Sequence, residues 1–364
     1  MSEILIGNSN LTWALCIATL NRIDMLEKCI TCALSQTRPP REIVIVDASE
    51  DWQANRTRIA HLIGGRVPLQ YLPAPERSST VQRNTAIKAC SSDICMLIDD
   101  DSLMHPDCAE IIMQAYEIDV DGELLGIAGV EGPSPMDVLS VARKVGSANH
   151  GRLASFRQTR LMQFLWRELF LMSRAVNFVP YAGPAGSRLP SWTAERGLDL
   201  APTLQLPGCR MTARRSVLLQ EPFEPAFRSY SPGEDFDISY RLSRIGTICV
   251  ARNAKIYHHE IAASRIKREQ ETVLSICNAA FLLRKHSPNL GRDRRLWSLL
   301  MSRRLLAEAL KDGLSRRWKL PQMRAAWRAA AISRGILKHA DDDTLAGCYI
   351  SIQQGILTKP TPSH

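Results

Sequence analysis

Ile94-Cys95-Met96-Leu97-Ile98 runs without a break into Asp99-Asp100-Asp101. Five apolar residues bounded by polar ones have the length and compactness of a buried strand. Three carboxylates at its tip repel one another, and burying them without a counter-ion costs far more than the strand tip gains by packing. A divalent cation is the usual remedy, and hard oxygen ligands favour magnesium or manganese. The plainer alternative is a solvated acidic turn ahead of a helix beginning near Pro106.

Outward from that run, the N-terminal third alternates between two periods. Leu11 to Thr19 reads as a buried strand, and Arg22 to Ser35 as a helix whose Ile23, Leu26, Ile30 and Leu34 recur every three to four residues. Pro39-Pro40 ends it. Glu42 to Val46 is a second strand ending at Asp47, Leu69 to Leu72 a third, and Ser79 to Ala89 a helix leading back to Ile94. That order predicts an α/β fold of nucleotide-binding type with a mostly parallel sheet. Ligands of such sheets sit beyond the carboxyl ends of the strands, where Thr19, Asp47 and Asp99 to Asp101 fall. Neither GxxxxGK[ST] nor GxGxxG follows a strand, which disfavours a P-loop enzyme or a dinucleotide-binding dehydrogenase. A further strand is read at Ile127 to Val130, and residues 137–200 break the pattern as a helical and looped insertion.

The chain has 364 residues and a formal charge of +9, longer than one average domain. The charge is concentrated: Arg265 to His339 holds eighteen Lys and Arg against five Asp and Glu. Ten scattered cysteines, several inside apolar runs, read as reduced thiols of a cytoplasmic protein. Cys29 and Cys32 form a CxxC well inside a helix, away from the N-terminus that would favour a thiolate, so a redox role is disfavoured. Met1-Ser2-Glu3 opens without a basic or apolar leader, and no stretch has the ~18 uncharged apolar residues of a spanning helix.

A second acidic group, Gly233-Glu234-Asp235-Phe236-Asp237, opens a helical stretch closed by Gly246. Acidic residues there suit a helix N-terminus through the dipole alone. Beyond a strand-like Ile248 to Ala251, paired His258-His259 end an alternating segment and are candidate metal ligands. In order and spacing, Ile17-Ala18-Thr19-Leu20-Asn21-Arg22, Asp47, Arg83-Asn84-x-Ala86, Asp99 to Asp101, Pro207-Gly208-Cys209-Arg210-Met211 and Gly233-Glu234-Asp235 with Arg241 resemble an inverting family 2 glycosyltransferase of the GT-A fold. The resemblance spans Leu11 to Ser264 and touches Asn278 to Pro288. It implies a catalytic domain over 1–264 and leaves 265–364 as a basic helical extension.

The resemblance implies a nucleotide-diphosphate sugar as donor, UDP or dTDP favoured and GDP open, with Mn2+ or Mg2+ as cofactor. Asp99 and Asp101 would hold the metal in a DxD-like motif, with His258 as a further ligand and His259 as fallback. Thr19, Asn21, Arg22 and Asp47 would line the nucleotide together with Asp99 and Asp100, and Arg77 and Arg83 would face the nucleotide or its phosphates. Asp235 matches the family's base, which deprotonates the acceptor hydroxyl. Glu234 would orient the acceptor or the loop, and Asp237 would cap the helix. The Gln-x-x-Arg-Trp signature of processive synthases is missing, since Leu314 stands where the Gln of Arg317-Trp318 would be. A single-sugar, or at most short, transfer is therefore expected; the resemblance implies a setting in cell-envelope glycan synthesis, with a bacterial-type glycan or lipid-linked acceptor.

The tail reads as three or four helices from Thr272, broken near Ser287-Pro288, Gly313 and Ala340-Asp341. It is either a helical subdomain with a solvated basic face or a peripheral contact with the inner-membrane surface. No nucleic-acid module surrounds its charges, so nucleic acid is not an expected partner. Two other readings stand beside the enzyme: a silent GT-A scaffold, and a metal-dependent nucleotidyltransferase.

Overall fold

A computed structural model describes residues 11–135, 188–228, 232–259 and 268–358. These form two units, one of 11–135, 188–228 and 234–259, the other of 232–233 and 268–358.

The first unit is built on β1 (Trp13–Thr19), β2 (Glu42–Asp47), β3 (Leu69–Pro73) and β4 (Ile94–Leu97), with α1 (Ile23–Leu34), α2 (Trp52–Ile63) and α3 (Ser79–Ala89) between them. After β4 come β5 (Ser102–Met104), α4 (Cys108–Ile118), β6 (Leu124–Glu131), α5 (Ser191–Glu195), β7 (Leu200–Pro202), β8 (Met211–Arg214), α6 (Arg215–Gln220), α7 (Glu234–Ile245) and β9 (Thr247–His258). The strands form one sheet in the order β3-β2-β1-β4-β8-β6-β9-β5, with β7 also on β9. Strand alternation separates the two cores. Trp13, Leu15 and Ile17 of β1 pack with α1, α2 and α4, whereas Ala14 and Cys16 pack with α3, α6 and α7. Both faces are covered, which is why β1 and β2 read as continuous apolar runs.

The expected α/β sheet with flanking helices is present, and it is more mixed than the sequence suggests. β1 pairs in parallel with β2 and β4, β2 with β3, and β6 with β9. β8 is antiparallel to both β4 and β6, and β5 and β7 are antiparallel to β9. β5, β7 and β8 are three or four residues long and none lies in an apolar run as long as Ile94 to Ile98, so each carries too short a pattern to be read alone. α2 was equally hidden, because Ile59 and Ile63 are its only buried residues. The insertion expected over 137–200 lies outside the described residues as far as 187. Its remainder holds α5 and ends at Leu200, the first residue of β7.

The second unit holds four helices: α8 (Arg268–His286), α9 (Leu290–Leu314), α10 (Pro321–Lys338) and α11 (Asp342–Thr358). Their breaks fall where Ser287-Pro288 and Ala340-Asp341 predict them, and the middle break follows Gly313 at 315–320. Ala325, Ala326, Ala329, Ala330 and Ser333 form the buried face of α10, and such small side chains let helices approach closely. Trp297 of α9 donates its indole N–H to Ser333 Oγ at 3.0 Å. Phe281 of α8 stacks on Tyr349 of α11 with ring centroids 4.5 Å apart.

Candidate active site

The sheet reverses its strand order between β1 and β4, and a crevice opens beyond the carboxyl ends of strands at such a point. Thr19 closes β1 and the three aspartates follow β4, so both arrive at that crevice. Thr19 Oγ1 donates to Asp100 Oδ2 at 2.7 Å, and Arg22 Nη1 reaches Asp100 Oδ1 at 3.0 Å and Asp101 Oδ2 at 3.2 Å. Burial pushes the Asp100 carboxyl up to about 6, against the pull of Thr19 and Arg22. Arg22 is thus a counter-ion to the triplet. Asn21, next to it, has φ +54°, a backbone state Asn tolerates better than most residues, and its N–H donates to Ser49 Oγ at 2.8 Å.

Asp47 is 1% exposed and filled by protein donors. Oδ1 accepts from the Ser49 amide at 2.8 Å and from Ser49 Oγ, while Oδ2 accepts from Asn55 Nδ2 at 2.9 Å and Tyr71 OH at 2.6 Å. Burial and the adjacent Asp47 raise the Tyr71 phenol far above its ordinary range. Here Asp47 holds the loop after β2 in shape. Arg77 lies on an exposed loop and pairs with Glu50 at 3.2 Å.

Register assigns the two histidines different places. Ser102 of β5 stands opposite His258 of β9, which sets His258 beside the residue before Ser102. His258 Nε2 lies 3.1 Å from Asp101 Oδ1 and 4.0 Å from Asp99 Oδ2. Ligand atoms of Asp99, Asp101 and His258 all lie within 4.8 Å of one another. Adjacent strand residues point to opposite faces, so His259 is exposed, with Nδ1 3.4 Å from Tyr257 OH, and only its amide, donating to the Asp101 carbonyl at 2.9 Å, touches the triplet. The other group of metal-capable side chains among the described residues, Cys16, Cys90 and Cys95, is buried in the core and joins none of these. Cys29 and Cys32 are held as thiols, their pKa raised by burial.

Arg83 joins the aspartates to the second acidic group. It is 5% exposed and donates to Asp99 Oδ1 at 2.8 Å, Glu234 Oε1 at 3.1 Å and the Gly208 carbonyl at 3.1 Å. A side chain at Gly208 would press a Cβ to 3.2 Å from that guanidinium, so glycine gives the arginine its room. Glu234 and Asp235 occupy the first turn of α7, where the helix dipole favours negative charge. Burial and then repulsion from Asp235 push Glu234 up to about 8, with Arg83 pulling the other way. Asp235 Oδ2 accepts from Gln205 Nε2 at 2.6 Å and from the Gly208 amide at 3.3 Å. Gln205 was not foreseen. It precedes a visible Pro-Gly turn, but nothing in its local pattern points to α7. Asp237 is fully buried and pairs with Arg241 at 2.8 Å one turn on, rather than standing ahead of the helix as a cap.

The sequence profile of glycosyl transferase family 2 matches residues 14–177, from β1 through the aspartate triplet. Residues 14–177 carry the family 2 glycosyltransferase match. A search among curated proteins finds no match. Among solved structures, GalNAc-T7 with UDP, GalNAc and Mn2+ superposes at a TM-score of 0.50 and 12% identity, over 76% of this chain and 48% of that one. The mannosyltransferase PcManGT from Pyrobaculum calidifontis, in complex with GDP-Man and Mn2+, is similar at a TM-score of 0.46 and 15% identity, over 95% of this chain and 85% of that one. The first of these likenesses supports the GT-A fold. The family match ends before Gln205, Glu234, Asp235 and His258, so the placement of those four in the glycosyltransferase's crevice comes from the tertiary structure.

Proposed function

We propose that this glycosyltransferase moves a single sugar, with inversion, from a nucleotide-diphosphate sugar to an acceptor hydroxyl. The observation that carries this reading is the meeting of Asp99, Asp101 and His258 at a strand-end crevice which Arg83 ties to Glu234 of α7. Two carboxylates and one imidazole form a donor set for a divalent ion; the imidazole favours manganese over magnesium. A bound ion would neutralise charge developing on the diphosphate as it leaves. Arg22, already between Asp100 and Asp101, adds positive charge on the same side. Thr19, Asn21 and the loop that Asp47 organises border the nucleotide, with Arg77 at its exposed rim.

Asp235 is the base that takes the acceptor proton. Gln205 and the Gly208 amide fix one of its oxygens and thereby the direction of the other. With a proton in place, Glu234 adds no second negative charge beside it, which is how paired carboxyls divide their roles. Reduced cysteines throughout suit a reducing compartment such as the cytoplasm.

Donor binding and hydrolysis across UDP-, dTDP-, GDP- and CMP-sugars, with manganese, magnesium or EDTA, test the reading. One donor should bind metal-dependently, and Asp101→Ala or His258→Ala should lose that dependence. Asp235→Asn should abolish transfer and leave donor affinity within about twofold, as expected of a group that acts only in the transition state. Absence of binding to every donor under every metal would overturn the proposal.

A further inference from the structure

The second unit carries a surface that the transfer reaction does not use. On α9, Leu296, Leu299, Leu306, Leu310 and Leu314 are 43%, 49%, 56%, 49% and 77% exposed. Their spacing of three, seven, four and four residues keeps them on one helix face, a stripe of about 27 Å. Trp318, just past the helix, and Trp327 of α10 are 78% and 66% exposed. Leu300 and Trp297, their neighbours in sequence, are buried, so the helix has a separate core-facing side and the stripe is surplus to packing. Contiguous exposed apolar surface of this kind marks a contact.

The charges around the stripe identify what it meets. Leu290 to Lys338 contains thirteen Lys and Arg against three acidic residues. All three acids, Asp293, Glu308 and Asp312, are buried. Asp293 accepts from Ser287 Oγ at 2.6 Å, Asp312 accepts from the Gln322 amide at 2.8 Å at the start of α10, and Glu308 lies 3.9 Å from Arg304 and Lys311. Arg292, Arg295, Arg316, Arg317, Lys319 and Arg324 are exposed. The solvent side of this stretch is therefore leucine, tryptophan and positive charge with no carboxylate of its own. Against a second copy, the same face would set arginine against arginine, Arg292 and Arg295 meeting either their own counterparts or Arg316 and Arg317, with no exposed carboxylate of this stretch to pair them, a like-charge cost that argues against a symmetric dimer. Nucleic acid would meet the arginines but has no use for a leucine stripe. An anionic bilayer answers both features, since leucine enters the acyl boundary, tryptophan sits at headgroup level and basic residues meet lipid phosphates.

We infer that the exposed face of α9, with Trp318 and Trp327, docks the protein on an anionic lipid surface. The inference is independent of the donor chemistry, because none of these residues belongs to the crevice. Flotation of the full chain with phosphatidylcholine vesicles, with and without phosphatidylglycerol, tests it. The protein should float with the anionic vesicles only, and less as salt is raised. Leu306→Glu with Leu310→Glu should abolish flotation while circular dichroism stays unchanged and the thermal transition moves little, since about half of each residue's surface is already in water. Arg316→Gln with Arg317→Gln should lower the partition coefficient about fivefold per charge. Failure to float with either vesicle overturns the inference, as does flotation indifferent to the leucine pair, which would be electrostatic adsorption alone. A dimer in light scattering that the leucine pair dissociates, with vesicle binding absent, would assign the stripe to a second copy instead.

Discussion

At the scale of single residues, each carboxylate of the crevice takes its character from the groups that face it. Asp99 to Asp101 can be read as a site because three carboxylates at a strand tip demand a counter-ion. Asp47 is legible as a strand-end aspartate, but its satisfaction by Ser49, Asn55 and Tyr71 is not, since those donors come from a loop and two elements that only folding brings together. Glu234 offers a pH test. Its folded pKa of about 8 stands above its ordinary 4.5, so the folded metal-free protein holds a proton that the unfolded chain releases between these values. The associated stability is complete below about pH 4.5 and is lost as pH rises through about 8. Urea unfolding as a function of pH should show this falling limb in wild type, and Glu234→Gln should flatten it. Gly208→Ala should lower transfer at least about tenfold by displacing Arg83, a misplacement cost typical of positioning groups, and a kcat loss with KM nearly unchanged would show it.

At the scale of elements, period and punctuation located β1 to β4, α1 and α3 within a residue or two, because the helices fall between clear breaks and each strand lies in an apolar run bounded by polar or turn residues. β5, β7 and β8 had no such signal. β8 was visible only as part of a Pro-Gly motif, and its position between β4 and β6 depends on neighbours far away in sequence. Glu42 shows how one residue sets element placement. Its Oε1 accepts from the amides and hydroxyls of Ser91 and Ser92 at 2.7–2.9 Å, which pins the start of β2 to the turn before β4. Burial would raise this carboxyl, but those four bonds outweigh it and hold the pKa below the ordinary value. The contribution is present above that value and lost as pH falls through the folded pKa. Glu42→Ala should cost about 2–3 kcal/mol in urea denaturation at neutral pH, by losing charge-assisted bonds and stranding buried donors.

At the scale of the whole molecule, two compact units imply more than one cooperative transition. Manganese held by Asp99, Asp101 and His258 should raise the transition of the first unit only, by the mass-action shift of a ligand that binds the native state. Calorimetry with and without Mn2+ should show that selective rise in wild type and its loss in Asp101→Ala. Among the described residues no helix is long and apolar enough to cross a membrane. By itself, the sequence determined the α/β class, the strand-end position of the acidic triplet, the acidic opening of α7 and the basic helical tail, because each is written in local period, charge and punctuation. The tertiary structure alone decided that His258 rather than His259 faces the triplet, that Gln205 holds Asp235, that Arg83 ties Asp99 to Glu234, 135 residues further on, and which leucines of α9 remain in solvent. Register and packing depend on which distant segments become neighbours, and no local pattern contains that information.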